Sequence, residues 1–292
     1  MQTLTQIREL LERAGHPPKK ALGQNFLIDH NLIRKLVDES GVGPGDTVLE
    51  VGPGTGALSV ELLERGCRLI ACELDAALVR VLAETLGTEY PDRLKLIEGD
   101  CLRNKRDIHP EVLARLGDRP FTLVANLPYH AATPLMMALM TRHPNCTGMY
   151  TTIQNEVVER FAAGPGTKAY GTIGVVAQRL GAVGTIAKLS PACFWPQPGV
   201  GSAMMRWVRD PDRPIDPDWW VTMARLTQTL FQSRRKKLSG SVKALAAGPI
   251  HWPQGVSPDH RIDAIDPEHI EALCRAIEQA DGVLSEESGK KG

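Results

Sequence analysis

The stretch TVLEVGPGTGALSVELL, residues 47–63, changes its periodicity halfway along. Thr47 to Val51 is short and apolar, which suits a strand buried inside a sheet. Gly52, Gly54 and Gly56 interrupt it, and the run GALSVELLERG then reads as a helix. Glycines at such a turn let the backbone bend sharply and pass close to a ligand. The new helix offers unpaired N–H groups at the same place. Alone the turn is a weak signal, because it serves dinucleotides and S-adenosylmethionine alike and is also compatible with an ordinary tight connection. Ala57 even completes a GxGxxA spelling, and Glu73 stands at the distance of a carboxylate that grips a ribose hydroxyl.

Strands and helices alternate outward from this turn: RLIACEL then DAALVRVLAETLG, RLKLIEGD, FTLVANLPY then TPLMMALM, and GMYTTIQ then NEVVERFAA. That alternation predicts an α/β fold with a parallel sheet and helices on both faces. Residues 171–189 read as a further helix and strand, and GSAMMRWV (201–208) as a closing strand. Upstream, Leu4, Ile7, Leu10 and Leu11 mark an amphipathic helix instead of a targeting peptide. A loop and a second helix near 30–40 follow it. The run DPDRPIDPD (210–218) reads as a linker. Helical patterns near 217–232, 234–246 and 267–280 lie beyond it. The expected division is 1–209, with 1–46 as N-terminal helices and a covering loop, then a small α-helical domain over 210–292. Its last residues, SEESGKKG, are expected to be mobile.

The chain has 292 residues, and its 34 Lys and Arg balance 34 Asp and Glu. Nucleic-acid contact must then come from local patches, since no global field supplies it. The 6 cysteines show no metal-like spacing, which predicts a reduced cytoplasmic protein without a structural metal. No apolar run is long enough to span a membrane.

Two carboxylates narrow the ligand. Glu73 ends the second strand, where it can grip ribose hydroxyls. Asp100 ends the third, where it can accept from an adenine amine. Each could equally be a surface acid or a helix cap, and together they favour an adenosyl ligand without excluding NAD.

The end of the fourth strand separates the cofactors. Asn126-Leu127-Pro128-Tyr129 places an amide, a locked backbone and a flat ring side by side. The N6 of adenine is a poor nucleophile because its lone pair is delocalised into the ring. An acceptor on each of its two hydrogens, the Asn126 side chain and the Leu127 carbonyl positioned by Pro128, frees that pair. Tyr129 supplies a stacking face, worth about 1–3 kcal/mol. A dehydrogenase has no use for this set; the bland alternative is a proline loop with a packed tyrosine. His130, next in line, reads as a loop histidine.

The ordered set GQNFL (23–27), EVGPGTG (50–56), ELD (73–75), GD (99–100), NLPY (126–129), QNEVVERFAAGPGTKAYG (154–171), FWPQP (194–198) and FQSRRKKL (231–238) resembles the KsgA/RsmA family of 16S rRNA adenine N6,N6-dimethyltransferases. The resemblance covers roughly 19–243. It implies a class I, Rossmann-like methyltransferase sheet, S-adenosyl-L-methionine as methyl donor, and two adjacent adenines of a 3′-terminal 16S rRNA hairpin as substrate. It implies that Asn25, Leu27, Gly52, Gly54, Glu73, Asp100 and Asn126 line the cofactor pocket, and that Phe194 faces Tyr129 across the target base. Erythromycin-resistance methyltransferases of 23S rRNA share GQNFL and the glycine turn but lack a close match to 154–171. Where the family has Pro-Lys-Val-Asp-Ser, this chain reads Pro198-Gly199-Val200-Gly201-Ser202. The match fades beyond 245.

Basic residues gather at Lys19, Lys20, Arg34 and Lys35, at Arg103, Lys105 and Arg106, and above all at Arg234, Arg235, Lys236 and Lys237. The last run is expected to bind phosphates of 16S rRNA within the small ribosomal subunit or its precursor. The expected actor is a cytoplasmic monomer. Two rival readings stay open: an NAD-dependent oxidoreductase, and a non-catalytic RNA-binding assembly factor.

Overall fold

A computed structural model of the chain describes residues 2–104 and 107–288. The basic pair Lys105 and Arg106 and the end of the expected mobile tail lie outside the described residues. Seven strands form one sheet: β1 Thr47–Val51, β2 Arg68–Glu73, β3 Leu94–Glu98, β4 Phe121–Asn126, β5 Cys146–Gln154, β6 Gly181–Leu189 and β7 Ser202–Arg209. Their order is β3-β2-β1-β4-β5-β7-β6. The first five are parallel neighbours. β7 runs antiparallel to β5, from Ser202 opposite Gln154 to Val208 opposite Gly148. The expected parallel sheet therefore ends in an inserted antiparallel strand.

β1 is buried at every residue, as a strand with helices on both faces must be. The helices His30–Ser40 and Ala57–Glu64 contribute Ile33, Leu36, Val37, Leu58, Leu62 and Leu63 to the core beside it. Strand order reverses between β1 and β4. Connections leave the two strands in opposite directions there, and the carboxyl ends of the sheet open a crevice.

Three local expectations shift. A helix Pro110–Leu116, capped by the His109 ring, was not anticipated; its short run carries only two buried apolar residues, Val112 and Leu116. The helix after β4 begins at Tyr129 and not at Thr133, so Pro134 falls inside it. The run Arg234–Lys237 is a turn between the helices Pro217–Gln232 and Leu238–Lys243 and not the first turn of a helix.

By internal contacts the chain divides into Met1–Val158 with Ala182–Asp210, and Glu159–Gly181 with Pro211–Gly292. Within the second unit, Tyr170 donates its hydroxyl to the Ile265 carbonyl at 3.0 Å, and Glu271 takes Arg179 and Arg213 at 2.8 and 3.1 Å. Among the described residues no helix is long and apolar enough to cross a membrane.

One cation holds the sheet's rear to its helix. Arg209, at the end of β7, donates Nε to the Cys146 carbonyl at 2.6 Å and Nη2 to those of Leu139, Met140 and His143 at 3.1 Å each. The Leu139 and His143 carbonyls also accept the His143 and Cys146 N–H groups, and a positive charge suits that end of the helix. Arg209→Met should lower unfolding free energy by about 2–4 kcal/mol in urea titration, with cofactor affinity unaltered.

Candidate active site

A cleft at the carboxyl ends of β1, β2 and β4 is walled by the glycine turn, the Gly23–Leu27 loop, Glu73, Asp100 and the segment Asn126–Ala131. It encloses about 1090 Å³, the solvent space at its open mouth included.

The turn requires glycine for two reasons. Gly52 and Gly54 have φ of +73° and +61°, where side chains are strained. A Cβ on Gly52 would also stand 3.2 Å from the Pro128 ring, and one on Gly54 only 2.8 Å from the Phe26 ring. Phe26 and Pro128 close on the turn because it has no side chains. Phe26 and Leu27 then pair with Trp195 and Phe194 as a two-residue antiparallel ribbon, and the Phe26 and Trp195 rings stack at 6.5 Å.

Three carboxylates border the cleft. Glu73 is buried; its Oε2 accepts the Gly54 N–H at 2.9 Å and its Oε1 the Asp75 N–H at 3.0 Å. Burial raises its pKa, and the two backbone donors only partly counter that. Each oxygen keeps a lone pair for a ligand hydroxyl. Asp100 is exposed and accepts the Leu102 N–H at 2.8 Å. Glu50, which the sequence reading passed over, is 1 % exposed and takes the Ser59 hydroxyl at 2.6 Å. Desolvation pushes its pKa up to about 8, against the Ser59 bond and with help from the Glu73 charge.

The covering loop is tied by another residue that sequence reading left without a role. Asp75, 3 % exposed, caps the helix Ala76–Leu82 through the Ala77 N–H. It also receives Lys19 Nζ at 3.0 Å, Gln24 Nε2 at 3.0 Å and His16 Nε2 at 3.2 Å. Burial alone would raise this carboxyl. The bonds from Lys19 and Gln24, with the nearby His16 and Lys19 charges, instead hold it below the usual carboxylate range. Asp75 stood inside the ELD motif, but no pattern in one sequence shows that residues 51 apart meet.

Asn126 donates Nδ2 to the Asn25 carbonyl at 2.9 Å, which leaves its Oδ1 as the acceptor. Leu127 is buried, its N–H held by the Thr152 carbonyl at 3.1 Å. Tyr129 opens its helix half-buried, and its hydroxyl meets Ser202 Oγ at 2.6 Å. Burial raises the tyrosine's pKa against that bond. Thus Asn25, Leu27, Gly52, Gly54, Glu73, Asp100, Asn126, Leu127, Pro128 and Tyr129 come together around one cleft.

Phe194 does not join them. It is 2 % exposed, packed in the core with Leu27, Ile33 and Leu36, and absent from the cleft wall. The facing pair with Tyr129 is therefore corrected: ribbon pairing with Leu27 turns Phe194 inward. Arg234 is corrected too. Its Nε lies 3.2 Å from Asp263, and its Nη atoms donate to the Lys168 and Thr167 carbonyls at 2.9 and 3.1 Å. Lys237 pairs with Asp259 at 2.8 Å, whereas Arg235 and Lys236 are exposed.

The lining discriminates between cofactors. Its ionisable groups are Glu50, Glu73, Asp100, Cys72, Cys101, Tyr129 and His130, with no Lys or Arg among the described lining residues. A pyrophosphate would meet carboxylates there; a nucleoside bearing a sulfonium and an ammonium group would meet complementary charge.

The profile of a protein family described as ribosomal RNA adenine dimethylase matches residues 15–279. A curated relative from Rhodospirillum rubrum, named ribosomal RNA small subunit methyltransferase A, is 39% identical over 283 residues, covering 96% of this chain and 95% of its own length. Its namesake from Geobacillus kaustophilus is 36% identical over 282 residues, covering 92% and 94%. Among solved structures, a dimethyladenosine transferase from Plasmodium falciparum superposes with a TM-score of 0.71 at 19% identity, covering 87% of this chain and 98% of that one. The 23S rRNA methyltransferase ErmE superposes at 0.63 and 21%, covering 87% and 100%. At those identities both likenesses speak to the fold, which is the Rossmann-like methyltransferase sheet with a helical C-terminal region.

Glu50 sets a pH dependence. In the folded chain its pKa is near 8, above the ordinary value of 4.5, so between those values the folded state holds a proton that the unfolded chain releases. Its contribution to stability is whole below about pH 4.5 and disappears as pH rises through about 8. Glu50→Gln should therefore gain on the wild type by a few kcal/mol between pH 5 and pH 8.5, read from urea midpoints.

Proposed function

The chain belongs to the ribosomal RNA adenine dimethylase family, and from that premise we propose that it transfers methyl groups from S-adenosyl-L-methionine to N6 of two adjacent adenines in a 3′-terminal hairpin of 16S rRNA, giving N6,N6-dimethyladenosine. One observation carries the reading: an acceptor-bearing Asn126 and the Tyr129 ring form one wall of a cleft whose lining holds Glu50, Glu73 and Asp100 and, among the described residues, no Lys or Arg. The names of the relatives matched over nearly full length favour the small-subunit substrate over 23S rRNA.

S-adenosyl-L-methionine, when bound, supplies an electrophilic methyl group whose departure leaves a neutral thioether, so no strong general base is required. Glu73 takes the ribose hydroxyls, Asp100 the adenine amine, and Asn25 and Leu27 cover the bound nucleoside from the loop that Asp75 holds. On the substrate side, Asn126 Oδ1 accepts one N6 hydrogen of the target adenine, and the Leu127 carbonyl accepts the other. Tyr129 stacks on the base and returns part of the few kcal/mol that extrusion costs. These contacts would orient N6 toward the bound donor, the alignment that methyl transfer requires. The second transfer needs the same pocket to tolerate the first methyl while presenting the remaining hydrogen.

In this reading the chain acts as a cytoplasmic monomer on 16S rRNA within the small ribosomal subunit or its precursor. Arg235 and Lys236 are the exposed members of the basic run that have no ion pair among the described residues, whereas the equally exposed Lys237 meets Asp259. With no net charge on the chain, recognition rests on the shape of a folded hairpin more than on bulk attraction.

Asn126→Ala and Tyr129→Ala should each reduce methyl transfer to undermethylated small subunits at least a hundredfold while cofactor binding stays within about threefold. Labelled-methyl incorporation followed by nucleoside analysis for dimethyladenosine decides this, and turnover retained in both variants would remove the mechanism. Reversing charge at Arg235 and Lys236 should lower RNA affinity about tenfold at low salt and flatten its salt dependence, measured by filter binding.

A further inference from the structure

A second pocket adjoins the cleft, and the mechanism above gives it no role. It encloses about 690 Å³ counted to its mouth, and its wall includes Gln154, Glu156, Lys188, Val200, Gly201 and Ser202. Gln154 ends β5 and Ser202 begins β7, and the sheet register sets them opposite each other. Ser202 links the two cavities. Its Oγ meets the Tyr129 hydroxyl at 2.6 Å, Tyr129 lines the cleft, and Ser202 lines the pocket. A group in the pocket is thus one hydroxyl pair away from the ring on which the target base stacks.

The wall offers an amide, an ammonium and an apolar surface, with the Glu156 carboxylate beside them. The half-buried Gln154 amide and the exposed Lys188 ammonium have no hydrogen-bond partner among the described residues. Val200 is one of few large apolar side chains left exposed, at 48%. Gly199 and Gly201 flank it, and a Cβ on either would meet nothing within 4 Å. Neither backbone conformation nor packing demands glycine there. Gly201 lines the pocket and leaves its wall open at a position where the resembling family carries Asp.

We propose that this pocket receives the nucleotide next to the adenine under methylation, and that Gln154 reads it as adenine. The proposal rests on the methyl-transfer reading and adds a specificity determinant to it. With two neighbouring adenines as substrates, the one waiting must be housed while the other is at Asn126. A glutamine amide presents one donor and one acceptor, matching an adenine edge in bidentate fashion. Lys188 meets the connecting phosphate, and Val200 lies under the base. Once the neighbour is dimethylated it has no N6 hydrogen left for Gln154, so this contact serves the first transfer, and the open wall at Gly201 leaves room for the added methyl groups.

The test uses small subunits reconstituted with undermethylated 16S rRNA in which one of the two adenines is replaced by uridine. Methylation of the remaining adenine is compared, as kcat/KM, with that of the same adenine beside its natural neighbour. Wild type should prefer the adenine neighbour by about tenfold, the discrimination expected of one good bidentate contact. Gln154→Ala should bring the ratio to within twofold of one, with cofactor affinity by calorimetry and the thermal midpoint both retained. Gln154→Glu keeps the shape, loses the N–H donor, and should lose the preference as well. A wild-type enzyme indifferent to the neighbour, or folded Gln154 variants with wild-type preference, would overturn this proposal alone. A wild-type chain that transfers no methyl to any of these subunits would overturn the parent reading and this one with it.

Discussion

The site depends on a turn without side chains. Gly52 and Gly54 adopt positive φ, and their missing Cβ atoms are what let Pro128 and the Phe26 ring close from opposite directions. Pro128 belongs to the segment ending β4, and Phe26 to the loop that covers the cleft. One stretch of bare backbone therefore sets the spacing of both partners. Phe26 and Leu27 carry the consequence outward, because their ribbon with Trp195 and Phe194 ties the loop to the approach of β7. A larger residue in the turn would displace all three walls together.

Charge in the cleft is arranged with equal economy. Glu73 is fixed by two backbone N–H groups, so its position is set by the sheet end and the turn. Glu50 lies beside it in a desolvated position that favours its neutral form. Asp75 does the opposite. It stays ionised because Lys19, Gln24 and His16 reach it from the covering loop, and it holds that loop down electrostatically. Three carboxylates close in sequence or space thus have three different tasks, set by what each accepts from. The absence of Lys and Arg from the described lining keeps the cleft suited to a cationic nucleoside.

Asn126-Leu127-Pro128-Tyr129 stood out from residue types because the chemistry in question is local: an amide oxygen, a carbonyl and a ring within four positions, all of which line one cleft. Asn126 even received a partner that orients it, the Asn25 carbonyl, which lies 101 residues away. Phe194 failed because its direction depends on a ribbon register that a single sequence does not reveal. Arg234 failed for a similar reason, since a run of cations looks uniform until folding brings Asp263 and two carbonyls to one of them. Asp75, Glu50 and Ser202 were passed over because each acts through a contact with no spacing to announce it.

By itself the sequence determined the alternation of strands and helices, the glycine turn, the carboxylates at successive strand ends and the family. These follow from periodicity and from chemistry confined to a few neighbouring residues, which a linear string preserves. Tertiary structure alone decided which carboxylate is buried and neutral, which cation is tied by carbonyls, which ring is packed into the core, and that a second pocket opens beside Ser202. Those properties depend on desolvation and on partners distant in the chain. Burial and pairing are created only when the elements pack.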